Sequence, residues 1–201
     1  MQLVGMYDSP YVRRVAISLQ VLGIAFEHRS ISLFRQVDAF AGINPLLKAP
    51  TLVCDDGLVL VDSGLILDAI EMSAGRRLLP SEPNAHRRAL RAIGLALVAA
   101  EKSVQVVYER RMRPEERQHV PWLERISGQL AVAFELLEAE FAVQAPQVSP
   151  LDQVGITSAV SWRFAREYLP EQLDWQRFPL LTAWSLTAEA LPAFQAVPFE
   201  G

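Results

Sequence analysis

The feature that most constrains the fold is a change of apolar pattern at the segment Leu79–Asn84, which contains two prolines. Before this segment, short apolar stretches are separated by turn residues, whereas after it apolar residues recur every three or four positions over long stretches. The first pattern is typical of strands alternating with short helices, and the second is typical of packed helices. We therefore predict an α/β domain at residues 1–78, a linker at residues 79–84 and an all-helical domain at residues 85–201.

The first domain is predicted to contain a strand–helix–strand unit followed by a hairpin and a closing helix. The predicted strands cover residues 2–7, 26–33, 51–54 and 58–61, and the predicted helices cover residues 12–23 and 63–72. Strands joined by a helical crossover should be parallel. The turn sequence Asp55-Asp56-Gly57 predicts an antiparallel hairpin. Ser63 is the predicted N-cap of the closing helix. The order of these strands and helices is that of a thioredoxin-like domain.

The second domain is predicted to be helical throughout. Its periodic apolar positions are Leu90, Ile93, Leu97, Ala100, Val104 and Val107, then Leu123, Ile126, Leu130, Ala133 and Leu137. Pro114 and Pro121 bracket the break between these two long helices. In Ser149–Asp152 we expect an N-cap serine, a proline at the first helical position and an acidic residue at the third. A last helix is expected to run to Leu191.

Composition excludes several classes of protein. The longest strongly apolar run, Ile93–Ala100, is far shorter than the ~20 residues that span a bilayer, and the N-terminal residues lack a secretory signal, so we expect a cytoplasmic protein without a membrane partner. The formal net charge of −4 is spread evenly and provides no basic field for nucleic acid. One cysteine, Cys54, and three scattered histidines predict no disulfide and no metal site.

Ser9 is the first candidate site residue, because it lies at the start of the first predicted helix with Pro10 at the first helical position. Unpaired N–H groups and the helix dipole favour an anion at such a point. Redox proteins of this fold carry C-P-x-C here, but this chain has Ser9 and Val12 in place of both cysteines. The site could therefore stabilise a thiolate that a cofactor supplies; alternatively, Ser9 only caps the helix.

Two further stretches could bind a ligand. In Asn44–Leu52 the spacing does not decide whether Pro50 is cis or trans; if it is cis, the backbone of Ala49 could pair with an extended peptide. At the closing helix, Ser63 and nearby N–H groups could hold a carboxylate, and Asp62 could receive an ammonium group. A plain helix cap is the alternative for this pair.

Taken in order, these motifs resemble those of the bacterial glutathione transferases. They are S-P-[FY]-x-R at Ser9, N-P-x-x-K-x-P-x-L at Asn44, D-S at Asp62, the linker, S-x-x-D at Ser149 and the ending Leu191–Phe194. The resemblance implies the cytosolic glutathione transferase fold, with a thioredoxin-like domain that binds glutathione and an all-helical C-terminal bundle that completes a pocket for a small electrophile. It also implies a homodimer and a role in detoxification.

The resemblance also assigns roles to individual residues. Ser9 would hydrogen-bond the glutathione thiolate, although Tyr7, two residues earlier, is a rival thiol partner. The remaining glutathione contacts would be Lys48 at the glycyl carboxylate, Ala49 before a cis Pro50 at the cysteinyl unit, and Asp62 with Ser63 at the γ-glutamyl end.

The same resemblance implies that the substrate pocket is lined by Tyr11, Val104, Tyr108, Arg111 and Trp162. For Val104 and Trp162, core packing is the alternative, whereas Arg111 could orient an anionic substrate.

Three hypotheses about the activity follow from the resemblance. The first is conjugation of glutathione to an electrophile, and the second is glutathione-dependent reduction of disulfides or peroxides. The third is a non-catalytic interaction protein that uses the fold as a docking surface. The serine-rich motif with a following cysteine that marks maleylacetoacetate isomerases does not occur at Ser9, which disfavours that narrower activity.

Overall fold

The computed structural model describes residues 1–200 and confirms the predicted combination of a thioredoxin-like α/β part with a helical part. The chain divides into two compact units, one formed by Met1–Leu78 with the chain from Ala190 on, and the other by Leu79–Glu189. The predicted helical domain extended to residue 201, whereas the structure places the last residues with the first unit. The reason is the burial of Phe194 and Val197, whose exposed fractions are 1% and 0%.

The first unit is a four-stranded sheet with helices. Its elements are β1 (Gln2–Val4), α1 (Pro10–Leu22), β2 (Glu27–Arg29), α2 (Val37–Ala41), β3 (Thr51–Val53), β4 (Val59–Val61), α3 (Ser63–Ala74) and α8 (Pro192–Gln195). The strand order is β2-β1-β3-β4, with β1 parallel to β2 and the other neighbours antiparallel. Both the parallel crossover unit and the hairpin are thus confirmed, although every strand is shorter than predicted.

Helix α1 begins two residues before the predicted residue 12 and ends one residue before the predicted residue 23. Ser9 is the N-cap and Pro10 follows it, while Gly23 adopts the left-handed conformation that commonly ends a helix (φ 70°). Before the helix, β1 ends at Val4 because Gly5, with φ 132°, leaves the extended region. A methyl group at Gly5 would lie 2.7 Å from Val12 Cγ2 and 3.1 Å from Ala49 Cβ. Only glycine therefore lets the first turn of α1 and Ala49 approach the end of β1.

The second unit contains four long helices: α4 (Pro83–Met112), α5 (Val120–Val143), α6 (Gln153–Tyr168) and α7 (Pro179–Glu189). Short 3₁₀ turns lie at Glu115–Arg117 and Trp175–Arg177. The predicted linker overlaps α4, because the Glu82 carboxylate caps that helix by accepting from the N–H groups of Asn84 (2.8 Å) and Ala85 (2.6 Å). None of the helices in residues 1–200 combines the length and hydropathy that a membrane span requires.

Two predictions about helix ends in this unit are wrong. Asp152, not Ser149, is the N-cap of α6, since its carboxylate accepts from the Gly155 N–H at 2.9 Å. The Ser149–Pro150 peptide bond is cis, and Pro150 lies outside the helix. The last long helix ends at Glu189, so Leu191 lies beyond it, where it is the N-cap residue of α8.

An aromatic cluster forms part of the core of the second unit. Its rings are those of Phe134, Trp162, Trp175 and Phe178. Trp162 meets Phe134 and Trp175 edge to face, with ring centroids 5.1 Å apart in both pairs. Edge-to-face pairs of this kind stabilise a core beyond the area that they bury.

The close approach at Gly5 leads to a stability prediction. Gly5→Ala should lower the free energy of unfolding by roughly 3 kcal/mol, because the added methyl group meets Val12 and the backbone φ is unfavourable for alanine. Gly23→Ala is the matched control, since Gly23 also has a positive φ but has open space around it. It should cost only about 1 kcal/mol. Equal losses for the two variants in urea unfolding would contradict the steric argument.

Candidate functional site

The candidate site lies in the first unit, where three backbone segments meet around the first turns of α1. Gly5 lets both Val12 of α1 and Ala49 lie close to the end of β1, because a Cβ added there would lie 2.7 Å from Val12 Cγ2 and 3.1 Å from Ala49 Cβ. The Arg14 guanidinium of α1 donates from Nη1 to the Ser63 hydroxyl of α3 at 3.1 Å. The structure thus brings together the predicted Ser9, Ala49 and Asp62–Ser63 regions.

Ser9 caps helix α1, which is one of the two roles that the sequence left open. Its hydroxyl oxygen accepts from the Val12 N–H at 3.4 Å, which is long for such a cap. Within residues 1–200, the hydroxyl proton of Ser9 donates to no recorded acceptor. A hydroxyl proton at a helix N-terminus can stabilise an anion there while the oxygen still caps the helix.

Tyr7 is held in the protein interior. It is 6% exposed and stacks on His28, with the ring centroids 3.6 Å apart and the planes 6° from parallel. Burial, aided by the Glu200 carboxylate, raises the pKa of the Tyr7 phenol to about 12. These observations favour a packing role for Tyr7 over the rival role at a thiol.

The segment before β3 presents Ala49 and Lys48. The Ala49–Pro50 peptide bond is cis, the isomer that the resemblance implied. Asn44, which is 2% exposed, organises this segment, because its amide nitrogen donates to Thr51 Oγ1 at 2.8 Å and its amide oxygen accepts from the Leu46 N–H at 3.0 Å. The side chain of Lys48 is exposed at this loop. The sequence analysis quoted Asn44 in a motif but missed its structural role.

At the start of α3, the predicted N-cap is wrong. Asp62, not Ser63, caps the helix, since its Oδ1 accepts from the N–H groups of Gly64 (2.8 Å) and Leu65 (3.3 Å). Asp62 does so with φ 71°, a conformation that is costly for a residue with a side chain. The N–H groups that we expected for a ligand carboxylate are therefore already used. The exposed Asp62 carboxylate instead presents a negative charge to an approaching cation.

Arg14 is the residue that the sequence analysis missed at this point. It is 3% exposed, and burial lowers the pKa of its guanidinium to about 10, against the opposing effect of nearby acidic groups, chiefly Asp62. By donating to the Ser63 oxygen, Arg14 leaves the hydroxyl proton of Ser63 available to a carboxylate. The only sequence signal was a pair of adjacent arginines, Arg13 and Arg14, between the apolar residues Val12 and Val15.

Asp62, Ser63 and Arg14 together form a polar corner with complementary charges. The exposed carboxylate suits an ammonium group, while the serine hydroxyl backed by a buried guanidinium suits a carboxylate. An amino-acid group carries both of these charges. Within residues 1–200 no group of three or more histidine, cysteine, aspartate or glutamate side chains could hold a metal ion.

The five predicted pocket residues differ in their surroundings. Tyr11 on α1 and Val104 on α4 are half-buried, whereas Tyr108 is 43% exposed. Arg111 is exposed, with its guanidinium 4.8 Å from the centre of the Tyr168 ring. Trp162 is only 3% exposed within the aromatic cluster, so the structure assigns it to core packing rather than to a substrate pocket.

Comparison with known sequences supports a common ancestry for the first unit. Residues 3–78 match the family model described as glutathione S-transferase, N-terminal domain. A GST-like protein of Escherichia coli K12, YibF, is 39% identical over 84 residues, which are 41% of this chain and 42% of the relative. The chain thus matches less than half the length of this curated relative.

Solved structures match over nearly the whole chain. A glutathione transferase family member from Pseudomonas fluorescens Pf-5, solved with bound glutathione, is 30% identical with a TM-score of 0.86, over 100% of this chain and 99% of that one. A glutathione S-transferase from Methylobacterium radiotolerans, in complex with glutathione sulfonate, is 26% identical with a TM-score of 0.90, over 100% of this chain and 95% of that one.

The raised pKa of Tyr7 predicts how stability changes in alkaline solution. The phenol stays neutral in the folded protein until about pH 12, whereas in the unfolded chain it ionises near pH 10. The free energy of unfolding should therefore fall as the pH rises from about 10 to 12. Tyr7→Phe keeps the stacked ring and removes the ionisation, so urea unfolding should show a shallower decline. An equally steep decline in this variant would contradict the assignment to Tyr7.

Proposed function

The chain belongs to the glutathione S-transferase family, and from that premise we propose that it binds glutathione and presents the thiol as a thiolate to a small hydrophobic electrophile. The observation that carries this proposal is the position of the Ser9 hydroxyl. Its hydroxyl lies at the N-terminus of α1, with an oxygen that caps the helix and a proton that donates to no recorded acceptor in residues 1–200.

In this proposal, the charged corner at α3 holds the γ-glutamyl end of glutathione. The Asp62 carboxylate receives the ammonium group, and the Ser63 hydroxyl, oriented by Arg14, donates to the carboxylate. The backbone of Ala49 pairs with the cysteinyl unit, next to the cis Pro50, and the exposed Lys48 meets the glycyl carboxylate. These contacts place the cysteinyl sulfur toward the start of α1.

The chemistry then depends on lowering the thiol pKa. A hydrogen bond from Ser9 and the positive end of α1 both favour the thiolate over the thiol. The thiol releases its proton to water, and the resulting thiolate attacks an electrophilic carbon. A sulfur–carbon bond forms, and the leaving group departs with the electron pair of the broken bond. The protein contributes positioning and charge stabilisation, because no cysteine of the chain lies at either position of the redox motif.

The electrophile-binding residues are proposed more narrowly than the sequence suggested. Tyr108 and Arg111 are exposed on α4, and Tyr11 is half-buried beside Ser9 in the sequence, so these three remain candidates. Half-buried Val104 stays with them, whereas Trp162 does not. We also propose a homodimer, which is supported by the exposed apolar side chains of Leu65 (68%) and Met72 (70%) on α3. A detoxification role belongs to the same proposal.

Calorimetric titration with glutathione tests the binding. Asp62→Asn keeps an efficient helix cap but removes the charge, so Kd should rise roughly tenfold through loss of a charge-assisted hydrogen bond. A glutathione analogue without the α-amino group should bind both proteins equally. If the unaltered protein shows no binding at millimolar glutathione, the interaction-protein alternative replaces this proposal.

Ser9 variants test the thiolate role separately from helix capping. Ser9→Ala loses both the hydroxyl donor and the cap, whereas Ser9→Gly loses the donor at little capping cost. Both should raise the pKa of bound glutathione by about one unit and lower kcat/KM about tenfold or more in conjugation assays. The pKa is measured from thiolate absorbance against pH.

An unchanged pH–rate profile in Ser9→Gly would refute the catalytic role of Ser9. Assay of the same proteins with a mixed glutathione disulfide distinguishes conjugation from reduction. Turnover of the disulfide without conjugation would favour the reductase alternative.

A further inference from the structure

The last residues of the chain pack against the helix that carries Ser9. We call residues 194–200 the C-terminal segment. Arg13 of α1 is 1% exposed, and its Nε donates to the Val197 carbonyl oxygen at 2.9 Å. The Arg13 guanidinium also lies 5.5 Å from the centre of the Phe194 ring and 5.9 Å from that of Phe199. A buried cation held by a carbonyl and two aromatic faces fixes the segment to α1.

The C-terminal segment then reaches the loop that precedes Ser9. The Glu200 carboxylate oxygen Oε2 accepts from the Tyr7 N–H at 3.4 Å and from the Ser30 hydroxyl at 3.2 Å. Tyr7 follows β1 and Ser30 follows β2, so one carboxylate bridges the carboxyl ends of two parallel strands. Ligands of open sheets with parallel strands bind at this edge.

Ser9 is thus held on both sides by the same segment. Glu200 contacts Tyr7, two residues before Ser9. Val197 contacts the Arg13 side chain, and the backbone N–H of Arg13 donates to the Ser9 carbonyl oxygen at 2.9 Å. Among residues 1–200, the Ser9 side chain makes one hydrogen bond, in which its hydroxyl oxygen accepts from the Val12 N–H at 3.4 Å. The position of its hydroxyl therefore depends on the backbone on either side.

We propose that Glu200 is a positioning residue, which holds the loop at residues 5–9 so that the Ser9 hydroxyl points at the bound thiol. The expected effect on catalysis rests on the proposed function, whereas the fixing of the loop by Glu200 does not. A donor displaced by a fraction of an ångström loses much of a hydrogen bond to a developing charge, so loosening the loop should lower kcat more than it raises KM.

Three variants distinguish the hydrogen bonds of Glu200 from its negative charge and from a general effect on stability. Glu200→Ala removes both accepted hydrogen bonds, whereas Glu200→Gln keeps an acceptor oxygen without the negative charge. Glu27→Ala is the matched control, because the Glu27 carboxylate accepts from Gln2 at the other end of the β1–β2 pair, at 2.8 Å. Each variant is made in the 201-residue chain.

Amide hydrogen exchange on the ligand-free proteins is the first measurement. Glu200→Ala should exchange the amides of residues 6–9 about tenfold faster, whereas Glu200→Gln and Glu27→Ala should match the unaltered protein. Unchanged exchange in Glu200→Ala overturns the proposal, whether or not the protein binds glutathione. Loss of protection throughout the sheet would also overturn it, since Glu200 would then serve global stability.

The second measurement is the pKa of bound glutathione together with kcat and KM. Glu200→Ala should raise the thiol pKa by about half a unit and lower kcat about tenfold, with Glu200→Gln restoring both. A Glu200→Gln variant as impaired as Glu200→Ala would show that charge, not positioning, is responsible. If the unaltered protein fails to bind glutathione, the proposed function fails, while the exchange result still decides whether Glu200 fixes the loop.

Discussion

The first unit depends on the contacts that two adjacent buried arginines of α1 make with the rest of the unit. Removing a guanidinium from water is costly unless neighbouring groups compensate for the lost hydration. Ser63 and the nearby charge of Asp62 at the start of α3 offset part of this cost for Arg14. The Val197 carbonyl and two aromatic rings of the C-terminal segment offset it for Arg13. Since each arginine needs a different neighbour, α1 is fixed from two directions. The helix start that carries Ser9 is fixed with it.

This arrangement explains how the site can be polar and still be rigid. Most of its groups serve two purposes at once. Asp62 Oδ1 caps α3 while the charged side chain stays exposed, and the Ser63 oxygen accepts from Arg14 while its hydroxyl proton remains. Ser9 caps α1 with its oxygen and keeps its own proton in the same way. A site built from such groups needs little rearrangement when an anion arrives, which is the condition for effective charge stabilisation.

Much of this fold was predictable because its signals are local. The Asp55-Asp56-Gly57 turn, the proline after Ser9 and the change of period at Leu79 each reflect the conformational preference of a few neighbouring residues. The N-caps at Asp62 and Asp152 were missed because a serine lies within three residues of each aspartate, and either type can cap a helix. The burial of Arg13 and Arg14 was missed since arginine is normally exposed, and only distant residues, Val197 and Ser63, make burial possible.

The path of the chain also bears on how the protein is synthesised. The helical unit lies between the two parts of the first unit in sequence, so the first unit is discontinuous. On the ribosome, residues 1–78 emerge well before the C-terminal segment, and during that interval Arg13 lacks the carbonyl and the rings that compensate for its burial. The helices of the second unit have local contacts and can form meanwhile. The first unit therefore begins to be made before the helical unit and is completed after it.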